Sequence, residues 1–499
     1  MGDFEKRASS QDEVRSNSID VPTDPDAGLS QGQRSKMEKS LIWRIDLVLI
    51  PWLCLLYLLA FLDRTNIGNA KVAGLLDDVH LTTGQYNTAL TLFFVSYSVF
   101  EPLTNILLKK LRPSVFIPAT MYVWLGFFWG ASMLGMGFCY NYSGLLAARW
   151  FLGLAEAGLF PGINYYLSCW YKRSEFGIRA AFFFSSAALA GSFGGLLAAA
   201  IQKLDGRGGL AGWRWIFVLE GLLTIVVALA SFWMVHDFPA DARFLSTEDR
   251  ARVIHRLKMD QQASHENEWS IKYLYDGLKD WKMWLGMVIY MGCDMPLYAF
   301  SLFLPTIIQE SGWGTSVVRT NLLSVPPYAA AALLTVIIGF VADRTRQRGL
   351  CNIVVSVIGI VGFILLIASN DPAVKYAGTF LGALGIYPSI ANTITWMANN
   401  TEGVYKRGVV LGFVIGWGNL NGIVSSNIFF DPPRYVQGHG IIIAYMALFL
   451  LGGSVLMTTM LRIENKKRLE GKRDYLAEGK SEAELESMGD RRPDFIYTP

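Results

Sequence analysis

The sequence predicts an all-α membrane protein with twelve transmembrane helices in two six-helix halves, and three observations lead there. Of 499 residues, 52% are hydrophobic and only 17% charged, with a mean hydropathy of +0.32, whereas soluble domains carry about 25% charged residues. A span takes about 20 apolar residues, and twelve such segments are legible at 43–62, 84–107, 114–136, 142–165, 178–202, 214–236, 283–308, 320–342, 350–369, 374–398, 407–429 and 440–461. The longest polar interruption, Asp237 to Lys282, divides them six and six.

In chain order, residues 1–40 are rich in Ser, Asp, Pro and Gln and hold too little apolar surface to fold, which predicts a disordered tail. The apolar run begins only after Trp43 and continues at spanning length, so the first span is expected to be its own targeting signal. Residues 41–236 then form one bundle, 237–282 a central loop, 283–461 a second bundle and 462–499 a charged tail. In the central loop, Ser246 precedes Asp249 by three residues, an approximate capping box that predicts a short surface helix.

Basic residues set orientation. Lys109, Lys110, Arg112, Lys172, Arg173, Arg344, Arg346, Arg348, Lys406 and Arg407 fall in loops of one parity, with both termini and the central loop. That side is expected to be cytoplasmic. Arg64, Lys71, Lys203, Arg207, Arg214, Arg319, Lys375 and Arg434 break the bias on the other side. The halves also echo each other: Pro161 and Pro388, Gly191 and Gly418, and Gly195 and Gly422 are each 227 residues apart, as duplicated halves require. The four glycines predict close helix contacts.

Several function classes lose support. The net charge of +3 is mild and its basic residues are dispersed, so no nucleic-acid partner is expected. Five cysteines lie apart and five histidines are scattered, so neither a disulfide framework nor a metal site is indicated. No cofactor is expected, and no nucleophile and base motif suggests an enzyme.

The chemistry concentrates in "RWFLGLAEAGLFPGINYYLSCWYKR", residues 149–173. Arg149, Gly153 and Glu156 share one helical face. Two charges near a span centre cost about 5–7 kcal/mol together, and their Cα atoms stand roughly 10 Å apart, too far for an easy direct bridge. Each needs a partner from elsewhere, and a water-filled cavity with an anionic substrate supplies one. Arg149 offers a planar fork for a carboxylate, and Glu156 can carry a proton; bracing against neighbouring helices is the plainer alternative. Asp294 is a second intramembrane acid, suited to a solute or proton role or to capping a helix end, and Pro296 predicts a kink or break beside it. Asp63 and Arg64, at the outer end of the first span, are read as an external gate or an ion pairing, with a binding site as the alternative. Asp343 and Arg344 after the eighth span, facing Lys110 and Arg112 from the other half, are read as the opposite gate. For a flat ring or amide, Tyr165, Tyr298, Tyr387, Asn392, Trp396, Trp417 and Asn419 are candidate cavity residues beside Arg149.

The stretches "YLLAFLDRTNIGNAKVAGL" (57–75), "NILLKKLRPS" (105–114), the 149–179 segment, "WRWIFVLEG" (213–221), "DMPLYAFSLFLPTII" (294–308), "GFVADRTRQR" (339–348) and "GWGNLNGIVSSNIF" (416–429) resemble the major facilitator superfamily. More narrowly, they resemble its anion:cation symporter family in the branch of fungal allantoate, nicotinate and pantothenate permeases. The loop after the second span departs from the gating motif, while Gly339, Asp343, Arg344 and Arg348 come closer to it; Gly191 and Gly195 lack the proline of the antiporter motif. The resemblance implies substrate-anion and proton handling by Arg149 and Glu156, and places an acidic residue at Glu220, which is read as structural. The expected function is proton-coupled uptake of a small organic carboxylate across the plasma membrane by a monomer embedded in the lipid bilayer. Export of an organic acid or secondary metabolite, and a non-transporting nutrient sensor, are the alternatives.

Overall fold

The computed structural model describes residues 25–26, 28–110, 127–260, 271–430, 432, 434–481, 484–485 and 488–499, all helical or irregular, with no strand among them. Eight helices are long and apolar enough to cross a membrane: Gln31–Val72, Glu175–Leu204, Gly212–Met234, Trp281–Glu310, Val317–Thr345, Arg348–Ala368, Lys406–Ser425 and Val436–Leu469. These occupy the positions of spans one, five to nine, eleven and twelve. Helices Thr83–Lys110, Phe127–Gly137, Tyr142–Glu156 with Leu159–Ser168, and Pro372–Asn399 stand at positions two, three, four and ten.

The first helix differs most from expectation. It opens at Ser30, whose hydroxyl accepts from the Gln33 amide while the Gln33 side chain accepts from the Ser30 amide, and runs 42 residues to Val72. At 1.5 Å per residue that is roughly 63 Å, twice the thickness of a bilayer core. Residues 31–40 are therefore helix and not tail, and the span does not stop at Leu62. Asp63 and Arg64 lie buried inside it, because a helix satisfies its own backbone and continues through charges that find partners.

The fourth span, by contrast, is not continuous. Ala157 leaves the helix with ψ 118°, and Gly158 takes φ +101° before the chain resumes at Leu159. Only glycine adopts that conformation without strain, and a Cβ there would lie 2.2 Å from Thr104 Oγ1 of the second span. Glu156 thus ends a half-helix. The seventh span does not break at Pro296, since Trp281–Glu310 is a single helix through both Pro296 and Pro305. Each proline removes one N–H, but almost every residue from Gly286 to Ile308 is buried against neighbours that hold the helix together.

The two halves meet where the first span packs on the seventh, the second on the eleventh, and the fifth on the eighth and tenth. Gly191 and Gly195 admit Tyr328 and Asn321 of the eighth span, and Gly422 admits Phe94 of the second. On the side of the chain ends, helix Thr247–Asp260 is capped by Ser246, whose Oγ accepts from the Asp249 amide at 3.1 Å. Arg252 and Arg256 of that helix tie to Asp26, Glu38 and Glu175. The last residues are packed rather than loose: Asp490 and Tyr497 are buried against the second half.

Candidate functional site

The buried charges converge at the seam. Arg64 donates from Nε (3.1 Å) and Nη2 (2.9 Å) to Glu156 Oε2, and from Nη1 (2.7 Å) to the Tyr298 hydroxyl. Tyr298 donates to Asn419 Oδ1 at 2.8 Å, and Asn419 Nδ2 donates to Glu101 Oε2 at 3.0 Å. This relay begins in the first half, enters the second through Tyr298 and Asn419, and returns to the first at Glu101. Its members come from the fourth, first, seventh, eleventh and second spans. The Arg64 guanidinium also lies 4.8 Å from the Tyr97 ring centroid and 5.1 Å from that of Phe93, both favourable cation–π distances.

Arg149 lies beside this relay. Its Nη1 donates to the Arg64 carbonyl at 3.3 Å, while Nε and Nη2, adjacent on the guanidinium, have no hydrogen-bond partner among the described residues. That open edge has the shape of a carboxylate. Glu156 Oε1 and Asp294 Oδ2 are likewise buried without a hydrogen-bond partner among the described residues. Asp63 accepts from Thr224 at 2.9 Å, and Glu220 bonds Asn66, which in turn accepts from Asn69. The cluster therefore holds five buried carboxyl groups, Asp63, Glu101, Glu156, Glu220 and Asp294, and two buried guanidiniums, Arg64 and Arg149. Uncompensated buried charge is costly, so a change in the charge of any one of these groups changes the energy of the whole seam.

The structure brings together Arg149, Glu156, Arg64, Tyr298 and Asn419, with Asp294 at Gly418 and Asp63 on Thr224. Arg64 lies within the buried cluster and not at the end of its span, because the helix continues to Val72 and the guanidinium pairs with Glu156. Tyr387 is buried edge-on to Tyr328, with centroids 5.8 Å apart, at the seam between fifth, eighth and tenth spans.

Other expected contacts are elsewhere. Asn392 has its amide filled: Oδ1 accepts from Arg348, and Nδ2 donates to the Arg348 carbonyl and to Asn352. Trp396 donates its Nε1 to the Thr498 carbonyl of the chain end. Trp417 joins Phe413, Leu420 and Val424 on an exposed apolar stripe, turned away from Asn419. These three are not proposed as substrate contacts. Asp343 bonds Arg348 of its own half and lies against Gly177 of the fifth span in the other half, and Arg344 is exposed. Tyr165 and Lys110 lie in helices, but their side chains are outside the described residues, as is all of Arg112.

Sequence reasoning passed over Glu101, Tyr97 and Phe93. The signal for Glu101 was present, since it is the one acid in the apolar run 84–107.

Two helical halves joined across a buried, charged seam define a membrane transport architecture. The Major Facilitator Superfamily profile matches residues 53–426, and the chain belongs to that family of multi-pass membrane transporters of small molecules. An uncharacterized transporter of Schizosaccharomyces pombe is 37% identical over 441 residues, covering 87% of this chain and 85% of its own. The high-affinity nicotinic acid transporter of Saccharomyces cerevisiae is 33% identical over 466 residues, covering 92% and 85%. Among solved structures, a bacterial homologue of the human lysosomal transporter Spinster, inward-facing and unoccupied, aligns with TM-score 0.59 at 15% identity over 83% of this chain and 94% of that one.

Proposed function

We propose that this protein imports a small organic carboxylate, of which nicotinate is the first to test, together with protons across the plasma membrane by alternating access. The single observation that carries the reading is the Arg64–Glu156 pair beside the open edge of Arg149. Arg64 is held by Glu156. A proton on Glu156 removes the negative partner, and the planar guanidinium is then free to take the substrate carboxylate, with Arg149 as second donor. Release of substrate lets the proton leave and the pair re-form. Anion and proton thus bind in support of each other, as linkage requires of a coupled carrier.

Membrane energetics favour this pairing. An inside-negative potential opposes anion entry by about 2.3 kcal/mol per charge per 100 mV, and an accompanying proton cancels that opposition. The Saccharomyces relative, a high-affinity nicotinic acid transporter, supports the choice of carboxylate. In this orientation both termini and the helix Thr247–Asp260 are cytoplasmic, and a monomer contains the complete site. The test is uptake of labelled nicotinate by a permease-deficient yeast expressing the chain. Uptake that stops on collapse of the pH gradient supports the reading, and uptake indifferent to that collapse contradicts symport.

A further inference from the structure

We propose that Lys71 is the outer capture residue of the carrier, sealing the extracellular seam when it is closed and presenting its charge to an incoming carboxylate when it is open. The proposal rests on the transport reading above and on the orientation given there. Lys71 is one of the basic residues that break the charge bias of the loops, and nothing in the central relay uses it. It stands in the last turn of the first span, at the end of the molecule away from the chain termini.

Its surroundings distinguish it from a loose surface lysine. The ammonium lies 5.1 Å from the ring centroid of Tyr86, in the same half, and 5.3 Å from that of Phe303, in the other half. Both rings are fully buried, whereas Lys71 is partly exposed. One turn earlier the halves are at backbone contact, for a Cβ on Gly68 would lie 2.5 Å from the Leu302 carbonyl oxygen. Phe303 is itself anchored on Phe429, with centroids 4.8 Å apart. Glu310 is the acid that acts on Lys71 electrostatically, yet no ion pair joins them; the Glu310 carboxylate accepts from Tyr435 instead. Among the described residues Lys71 has no ion pair at all.

A cation held by two aromatic faces from opposite halves is a joint that parts cleanly. When the outer seam opens, Phe303 leaves with the second half and Tyr86 stays with the first. The ammonium then loses one aromatic face and gains water. No ion pair among the described residues holds it, so it attracts the anionic substrate at the mouth of the pathway, with the salt sensitivity of a solvent-exposed charge. A cation in the last turn also complements the helix dipole, but that role is structural and does not respond to the salt in the external medium.

The experiment has two arms. In the first, labelled nicotinate uptake is measured for wild type, Lys71→Gln and Lys71→Arg across external ionic strength. The expected result is a half-saturating concentration raised about tenfold in Lys71→Gln at low salt, a flattened salt dependence, an unchanged maximal rate and recovery in Lys71→Arg. Unchanged half-saturation and salt dependence in Lys71→Gln overturn the capture role. The second arm needs no substrate: Lys71→Cys is labelled from outside with an impermeant thiol reagent, above the background of the wild-type chain, with and without Phe303→Ala. A severalfold faster labelling in the double variant is expected, and an equal rate overturns the seal. Absence of nicotinate uptake by the wild type refutes the choice of substrate, while the labelling arm still decides the gate.

Discussion

Arg64 directs two of its nitrogens to a single oxygen of Glu156, at 3.1 and 2.9 Å, and the other oxygen has no hydrogen-bond partner among the described residues. The pair joins the first span to the end of the broken fourth, and its third arm reaches Tyr298 in the other half. The geometry needs a guanidinium. Lysine has one point charge and cannot hold Glu156 from two nitrogens while also reaching Tyr298. Arg64→Lys is expected to lower the ratio of maximal uptake rate to half-saturating concentration at least tenfold, equivalent to about 1.4 kcal/mol or more. Surface quantity and thermal stability, measured in parallel, are the controls.

The relay should behave as one unit. Tyr298→Phe removes a hydroxyl that both accepts from Arg64 and donates to Asn419, and Asn419→Ala leaves Glu101 without its donor. A net loss of about 1 kcal/mol is typical for one hydrogen bond, and more where a buried charge is stranded. A double-mutant cycle on uptake should return a coupling of about 0.5–3 kcal/mol, because the two residues share a network. Simple additivity is the contrary outcome.

Gly158 holds the break after Glu156. Gly158→Ala places a methyl on a φ of +101° and against Thr104. Strain of this kind costs about 1–3 kcal/mol, which is expected as a lower midpoint in a thermal unfolding assay in detergent. Thr104→Gly in the same chain should recover only the steric part.

The chain end gives a pH-dependent prediction. Asp490 lies between Lys282 and Lys406, each 2.7 Å away, while Asp280 bridges the same two lysines. Burial works against the charged carboxyl, but the two ammoniums outweigh it and hold the group at about 2. The unfolded value is about 3.9. A carboxyl with a lowered folded value contributes its full stabilisation above the unfolded value and loses it as pH falls from about 4 toward 2. Protection of residues 488–499 from amide hydrogen exchange should therefore hold at pH 5–7 and decline below about pH 4. Asp490→Asn should cost about 3–5 kcal/mol at pH 7 by breaking a buried pair, with the difference from wild type narrowing in acid.

Hydropathy made the spans and their division into halves legible, since twenty apolar residues have few other stable uses. The Ser246 cap, the close-contact glycines and the Arg149–Glu156 face were also readable, because each depends on residues within one or two turns. What escaped depends on distance or on conformation. A hydropathy window ends a span at its first charges, so Asp63 and Arg64 were assigned to the outer edge although the helix runs on to Val72. Arg64 and Glu156 are 92 residues apart, and Lys282 and Asp490 are 208 apart. No periodicity links such pairs; only the packed bundle does. The break at Gly158 and the continuity through Pro296 likewise reflect neighbours more than local propensity, which tertiary packing readily overrides.

The central claim is that Glu156 carries the proton that frees Arg64 for an anion. The most direct measurement compares wild type and Glu156→Gln in proteoliposomes with an alkaline interior, following concentrative uptake of labelled nicotinate and its exchange at equal pH. The wild type should concentrate nicotinate; the variant should lose concentration and its pH dependence while still exchanging. A variant that concentrates nicotinate to the wild-type level, with the same response to pH, contradicts the account.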